Sequence, residues 1–262
     1  MRLKVLRADP AGNITLFVLS PVEKEYRAAL AEKLMALEQF KAEQVGYCCA
    51  TEDGVDGHME MSGGEFCGNA TRAYGMLTAK NNGLCGKAHL TLRVSGCEHP
   101  VGVDVDMDNQ TARSEMPLPV FVRRETVGAA EGTLVHLGGI AHFVVKNVPP
   151  SLAFFEQAEQ MFLALDGLDA YGVMFLDTAA HRMTPLVKVP AANSLFWEGS
   201  CGSGSLAAVL ALTNDLPDGE YSENIVQPAG VVCAAVVREN GRAKAAYIGG
   251  GVTLDEPVEI EV

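Results

Sequence analysis

The chain has 262 residues, enough for two domains of ordinary size, and its 48% hydrophobic and 20% charged residues are those of a compact folded protein. A formal net charge of −13 argues against a surface for nucleic acid or anionic lipid. No segment approaches the roughly 20 apolar residues of a membrane helix, and no apolar stretch of signal-peptide length opens the chain, so a cytoplasmic protein without a membrane or nucleic-acid partner is expected.

In chain order, residues 3–6 and 14–19 read as strands around a turn that contains Gly12 and Asn13. Ser20 reads as an N-cap with Pro21 at the first helical position, and apolar residues at helical spacing carry that helix on to Glu38. Strands at 43–47 and 58–61 lead through a glycine turn to Phe66-Cys67-Gly68-Asn69-Ala70-Thr71-Arg72-Ala73. The helix that Cys67 opens is apolar nearly all round (Ala70, Ala73, Tyr74, Met76, Leu77, Ala79), which predicts burial inside its domain. β segments at 90–94, 101–105 and 111–116 follow, and Pro117-Leu118-Pro119 marks a boundary. The expected halves are 1–118, carrying Cys67, and 119–262, carrying Cys201, with the last strand packing back on the first half.

The second half repeats the plan. Strands at 133–137 and 142–145, a helix over 152–163, and strands at 173–176 and 184–189 precede Ser200-Cys201-Gly202-Ser203-Gly204-Ser205-Leu206-Ala207. This motif opens a helix rich in small residues, followed by β segments at 224–227 and 231–237. Two strands, a buried helix and two more strands, twice over, make an α+β fold with internal pseudosymmetry.

A cysteine at a helix mouth is expected to have a lowered thiol pKa, because unpaired N–H groups and the helix dipole favour the thiolate. Two such sulfurs suit a cofactor-independent racemase, one thiol taking the α-proton and the other returning it on the opposite face. Backbone N–H groups of Gly68, Asn69, Gly202 and Ser203 would receive the substrate carboxylate. Asn13 and Glu43 are further candidates for substrate contact, set against a plain turn role and a plain strand role. Phe196 and Trp197 read as pocket-lining or as core, and His58, His142 and His181 as structural or surface residues. Seven cysteines without zinc-ligand spacing give neither a disulfide framework nor a metal site, and Cys85, Cys97 and Cys233 read as small buried residues. No lysine context suggests pyridoxal phosphate, so no cofactor is expected, and the partner is a small-molecule amino acid. The oligomeric state, a homodimer included, stays open. A thiol-redox or ligand-binding protein that turns nothing over is the reading from another class.

These motifs resemble the diaminopimelate epimerase-like superfamily over essentially the whole chain. The resemblance rests on the two Cys-Gly-polar helix openings, the Gly12-Asn13 turn and Gln227-Pro228-Ala229-Gly230. It implies two β-barrel-like domains, each wrapped around a central helix, with one catalytic cysteine at each helix start. Within the superfamily the chain is most similar to the histidine racemases of staphylopine-type metallophore biosynthesis. The segments carrying that likeness are Pro10-Ala11-Gly12-Asn13, Glu43-Gln44-Val45-Gly46, 61–71, Val94-Ser95-Gly96-Cys97 and 194–204. Departures from diaminopimelate epimerase point the same way: residues 189–198 contain no arginine for a distal carboxylate, which would then stay unpaired in a closed site. Diaminopimelate or another amino acid remains the alternative substrate within this fold.

Overall fold

The computed structural model describes residues 1–51, 53–190 and 194–262. Its elements begin β1 (Arg2–Asp9), β2 (Thr15–Val18), α1 (Lys24–Met35), β3 (Gln44–Cys49), β4 (Gly57–Met61) and α2 (Gly68–Asn81). They continue as β5 (Lys87–Val94), β6 (Val101–Asp106), β7 (Thr111–Glu115), β8 (Phe121–Val127), β9 (Ala130–His136) and β10 (Ile140–Lys146). Next come α3 (Leu152–Leu163), β11 (Ala170–Asp177), β12 (Arg182–Val189), β13 (Ser194–Trp197) and α4 (Gly202–Thr213). The chain ends with β14 (Gly219–Gln227), β15 (Gly230–Glu239), β16 (Arg242–Gly251), β17 (Thr253–Leu254) and β18 (Val258–Glu261). Two compact units emerge, Met1–Glu115 with Gly249–Val262, and Met116–Ile248.

In the first unit β1 pairs antiparallel with β2 (Val5 opposite Val18) and with β18 (Leu3 opposite Ile260). The α1 crossover makes β2 and β3 parallel, with Leu16 opposite Val45, and β3 and β4 then run antiparallel. The α2 crossover makes β4 and β5 parallel, and β5, β6 and β7 complete an antiparallel run. Strands β4, β5, β6, β7 and β17 all pack on α2, which is buried over its length up to Ala79. Its small residues permit that wrapping. A Cβ on Gly75 would lie 2.6 Å from Val103 Cγ1, so only glycine lets α2 approach β6 this closely. A second cluster, Leu30, Ala31 and Leu34 on Leu3, Leu16 and Val45, seats α1 on the outer face of the sheet.

The second unit has the same order. β9 and β10 are antiparallel, and the α3 crossover makes β10 and β11 parallel, with Phe143 opposite Val173. β11 and β12 are antiparallel, β12 and β14 are parallel across α4, and β14 and β15 form the closing hairpin. α4 carries Leu206, Ala207, Ala208, Val209 and Leu210, all buried, into the space among β9, β10, β11, β14 and β15. The α+β repeat with a buried central helix in each half is thus present, with β8 flanking β9 antiparallel as β18 flanks β1, and β13 an addition of the second unit.

Some local expectations are corrected. α1 starts at Lys24 after an uncapped Glu23, not at Pro21, because the Ser20 hydroxyl accepts the Lys4 N–H at 2.8 Å and is spent on β1. It stops at Met35, after which Leu37 and Phe40 close successive turns instead of extending the helix to Glu38. Cys85 is exposed, and Cys97 and Cys233 are half-buried, where small core residues were expected. Cys85 and Cys97 lie in loops, and Cys233 takes one of the outward-alternating positions of β15.

Candidate active site

In the first unit Cys67 is the N-cap of α2, in extended conformation, and its Sγ accepts the Ala70 N–H at 3.5 Å. The sulfur occupies the place of the usual hydroxyl or carboxylate cap. Thr71 Oγ1 donates back to the Cys67 carbonyl at 2.8 Å and so locks the turn. Asn13 Oδ1 lies 3.9 Å from Sγ. That amide is held on both sides, donating to Glu43 Oε2 at 2.8 Å and accepting from Gln44 Nε2 at 2.9 Å. Burial raises the Glu43 carboxyl above its usual range, with the Asn13 hydrogen bond pulling it partly back. Asn69, the second helical residue, is buried, and its Oδ1 accepts from Arg72 Nε at 3.1 Å. Arg72 is wholly buried and also donates from Nη1 to the carbonyls of Gly250 (3.1 Å) and Gly251 (2.9 Å).

The second unit repeats the helix mouth with different surroundings. Cys201 is the extended N-cap of α4, its Sγ accepting the Gly204 N–H at 3.3 Å, while Ser205 Oγ donates to the Cys201 carbonyl at 2.7 Å. Gln227 Oε1 accepts the Cys201 N–H at 2.7 Å and Gln227 Nε2 donates to Ser205 Oγ at 2.9 Å, which fixes the motif to the end of β14. Ser203 Oγ sits 3.6 Å from Cys201 Sγ and 2.8 Å from His142 Nε2. His142 is fully buried, and burial lowers its pKa to about 3, so the ring is neutral. The carboxylate of Glu198 also faces the Cys201 sulfur.

Both thiols depart from the expected direction. Burial pushes Cys67 up and Cys201 well up, and the Glu198 charge adds to the rise at Cys201. The helix-mouth N–H groups oppose this at both sites but do not outweigh desolvation. A buried thiolate formed under these conditions is a stronger base than a solvated one. Gly68, Asn69, Gly202 and Ser203 are the first two residues of their helices, where N–H groups have no intrahelical acceptor and are available to an anion.

The geometry joins Asn13, Glu43 and Cys67 into one hydrogen-bonded group in the first unit. Gln44, also in that group, was missed, as was Arg72, which is tied instead to Asn69; a cation among the buried turns of α2 was a signal for it. In the second unit His142, read as structural or surface, is the buried partner of Ser203, and Gln227 anchors the cysteine backbone. Phe196 and Trp197 are each 43% exposed, so neither is core, although the Trp197 ring lies 6.0 Å from that of Phe175. The preceding residues 191–193, part of the arginine-free segment, lie outside the described residues.

The profile of the family described as histidine racemase CntK N-terminal domain matches residues 2–256. A histidine racemase of Fusobacterium nucleatum subsp. nucleatum is 29% identical over 269 residues, covering 98% of this chain and 94% of its own. One from Staphylococcus aureus (strain Mu50) is 30% identical over 256 residues, covering 94% and 92%. Among solved structures, a hydroxyproline epimerase from Agrobacterium vitis shares the fold with a TM-score of 0.68 at 13% identity, covering 99% of this chain and 92% of that one. A profile running almost from end to end and relatives aligned over nearly all their length lead to one assignment: the chain belongs to the histidine racemase family.

Proposed function

We propose that this chain interconverts L- and D-histidine without a cofactor, using Cys67 and Cys201 as the two proton carriers. The observation that supports this most is the duplicated helix mouth, in which a cysteine is the N-cap and its sulfur accepts the N–H three residues on. In the forward direction a thiolate removes the proton from Cα and becomes a thiol. The electron pair left on Cα is delocalised into the substrate carboxylate. The other thiol then donates its proton to the opposite face and becomes the thiolate, and the reverse direction exchanges the roles. The charge growing on the carboxylate is met by the N–H groups of Gly68, Asn69, Gly202 and Ser203, and losing one such donor typically costs about 10²–10³ in kcat. The Asn13–Glu43 pair offers a carboxylate for the substrate ammonium group or imidazole.

The arginine-free segment before Cys201 favours a side chain without a distal carboxylate, and the family assignment favours histidine. Incubation of each enantiomer of histidine in heavy water, followed by NMR of the Cα–H and chiral chromatography, tests the reading. Exchange and inversion of histidine with little turnover of diaminopimelate or alanine is expected. Cys67→Ala and Cys201→Ala should each abolish racemisation while leaving the fold intact. Faster turnover of diaminopimelate, or near wild-type racemisation by either variant, would overturn it.

A further inference from the structure

We propose that Gln227, at the end of β14, is the positioning residue of the second proton carrier: its side-chain amide fixes the backbone of Cys201 and so holds the sulfur where it can reach the substrate Cα. The inference rests on the two-thiol reading above and adds to it a residue that acts through the cysteine backbone. Gln227-Pro228-Ala229-Gly230 stands out in the sequence, and the proton-transfer steps give it no task.

Three groups on the Cα of Cys201 are each tied down. Its N–H donates to Gln227 Oε1 at 2.7 Å, its carbonyl accepts the Ser205 hydroxyl at 2.7 Å, and its Sγ accepts the Gly204 N–H at 3.3 Å. The Gln227 amide closes the backbone ties into a ring, because its Nε2 donates to the same Ser205 oxygen at 2.9 Å. Cys201, Ser205 and Gln227 are all buried, so these bonds form where water does not compete and the local dielectric strengthens them. An amide suits both ends of its place in the ring. The Cys201 N–H needs an acceptor, and the Ser205 oxygen, whose hydrogen goes to the Cys201 carbonyl, takes a donor. Fixing N–H and C=O on either side of a Cα fixes the direction of its Cβ, and the bond to Gly204 then selects the side-chain rotamer. The turn beyond Gln227 adds a fourth tie, the Ala229 N–H donating to the Gly199 carbonyl at 2.9 Å.

The first unit has a clasp at the equivalent place in its fold. β5 and β14 are the strands that follow α2 and α4, each parallel to a strand that precedes the helix, β4 and β12. Just past β5, Ser95 Oγ donates to the Glu65 carbonyl at 2.7 Å while accepting the Met61 N–H at 2.8 Å. Glu65 and Gly199 each lie two residues before their cysteine, so the same carbonyl is held in both units. In the second unit the clasp reaches on to the cysteine itself. The Ser95 and Ala229 bonds are enough to hold the loops, whereas the grip on the Cys201 amide falls on the reacting group. A proton carrier works at full rate only when it stands in line with the Cα–H bond, and a misplacement of about 1 Å costs on the order of 10²-fold.

Gln227→Met, similar in length and unable to make either bond, tests the assignment through kinetics and through the thiol itself. In the folded variant kcat for histidine should fall about tenfold to a hundredfold while KM stays within about threefold, because the N–H groups of Gly202 and Ser203 remain on the helix. Iodoacetamide alkylation of the substrate-free enzyme over a pH series, read peptide by peptide by mass spectrometry, gives each sulfur a rate and a midpoint of ionisation. Cys201 should react faster relative to Cys67 than in the wild type, its sulfur having lost a fixed seat. A kcat per folded molecule within about twofold of the wild type, or an unchanged ratio of Cys201 to Cys67 rates, would overturn the positioning role and leave Gln227 to stability alone. If Gln227→Met does not fold, Ser205→Ala reads the same two quantities with the same expected and refuting results, since it takes the acceptor from Gln227 Nε2 and the donor from the Cys201 carbonyl. Alkylation needs no turnover, so failure of the two-thiol reading, seen as near wild-type racemisation by Cys201→Ala, is registered separately.

Discussion

Acidification should destabilise this protein through His142 in particular. The ring is wholly buried, its Nε2 lies 2.8 Å from Ser203 Oγ, and its Nδ1 has no hydrogen-bond partner among the described residues. Its pKa falls from an ordinary 6.5 to about 3 in the folded chain. Between those two values the unfolded chain binds a proton that the folded chain refuses, so stability falls as pH falls through 6.5 and levels off only below about 3. The loss between pH 7 and pH 5 is roughly 2 kcal/mol, and the full penalty is on the order of 5 kcal/mol. Carboxylates titrate over the lower part of the same range, so the measurement must be a difference. Urea denaturation at pH 7 and pH 5 would be compared for the wild type and His142→Gln, which keeps an amide within reach of Ser203 and does not titrate. The wild type should lose about 2 kcal/mol more than the variant across that interval. The offset that the substitution introduces at pH 7 cancels in the comparison. Losses agreeing within about 0.5 kcal/mol would refute the buried neutral imidazole.

Much of the fold was readable because its two periods are clean. A helix apolar on all sides has one stable location, inside its own sheet, and α2 and α4 take it. Repetition of strand, strand, buried helix, strand, strand then gave the pseudosymmetry. Where the reading went wrong, a distant partner had claimed a local signal. Ser20 looks like a helix cap but serves the Lys4 N–H instead. β13 was missed because Ser194-Leu195-Phe196-Trp197 has no alternation to read, and its three apolar residues are all exposed.

The site divides along the same line. Cys67 and Cys201 were visible because what makes them special, a cap position followed by glycine and a polar residue, lies within four residues of each. His142 lies 61 residues from Ser203, and only the fold brings them together. The direction of the thiol shifts was lost for a related reason. Sequence reveals the helix mouth that favours a thiolate, whereas the burial that disfavours it depends on how tightly the surrounding strands close.

Two further perturbations follow from the loops and hydroxyls around the cysteines. Gly96 has φ +72°, and a Cβ there would run into the backbone of Glu65 and Phe66, so Gly96→Ala should cost roughly 2–5 kcal/mol in urea denaturation and lower kcat by displacing the approach to Cys67; a stable, fully active variant would contradict this. Ser203→Ala reaches the second thiol. Its hydroxyl is the hydrogen-bond partner of His142 Nε2, and removing it leaves both buried ring nitrogens unpaired, at a cost of about 1–3 kcal/mol. The same hydroxyl is 3.6 Å from Cys201 Sγ and pulls that thiol's pKa down, so its loss should drive the pKa further up. The sign fixes the kinetic consequence. The rate limb that needs a Cys201 thiolate should move to higher pH in Ser203→Ala, and Ser203→Thr, which keeps the hydroxyl, should restore it. An alkylation midpoint at Cys201 unchanged in Ser203→Ala would show that the hydroxyl serves only the packing of His142.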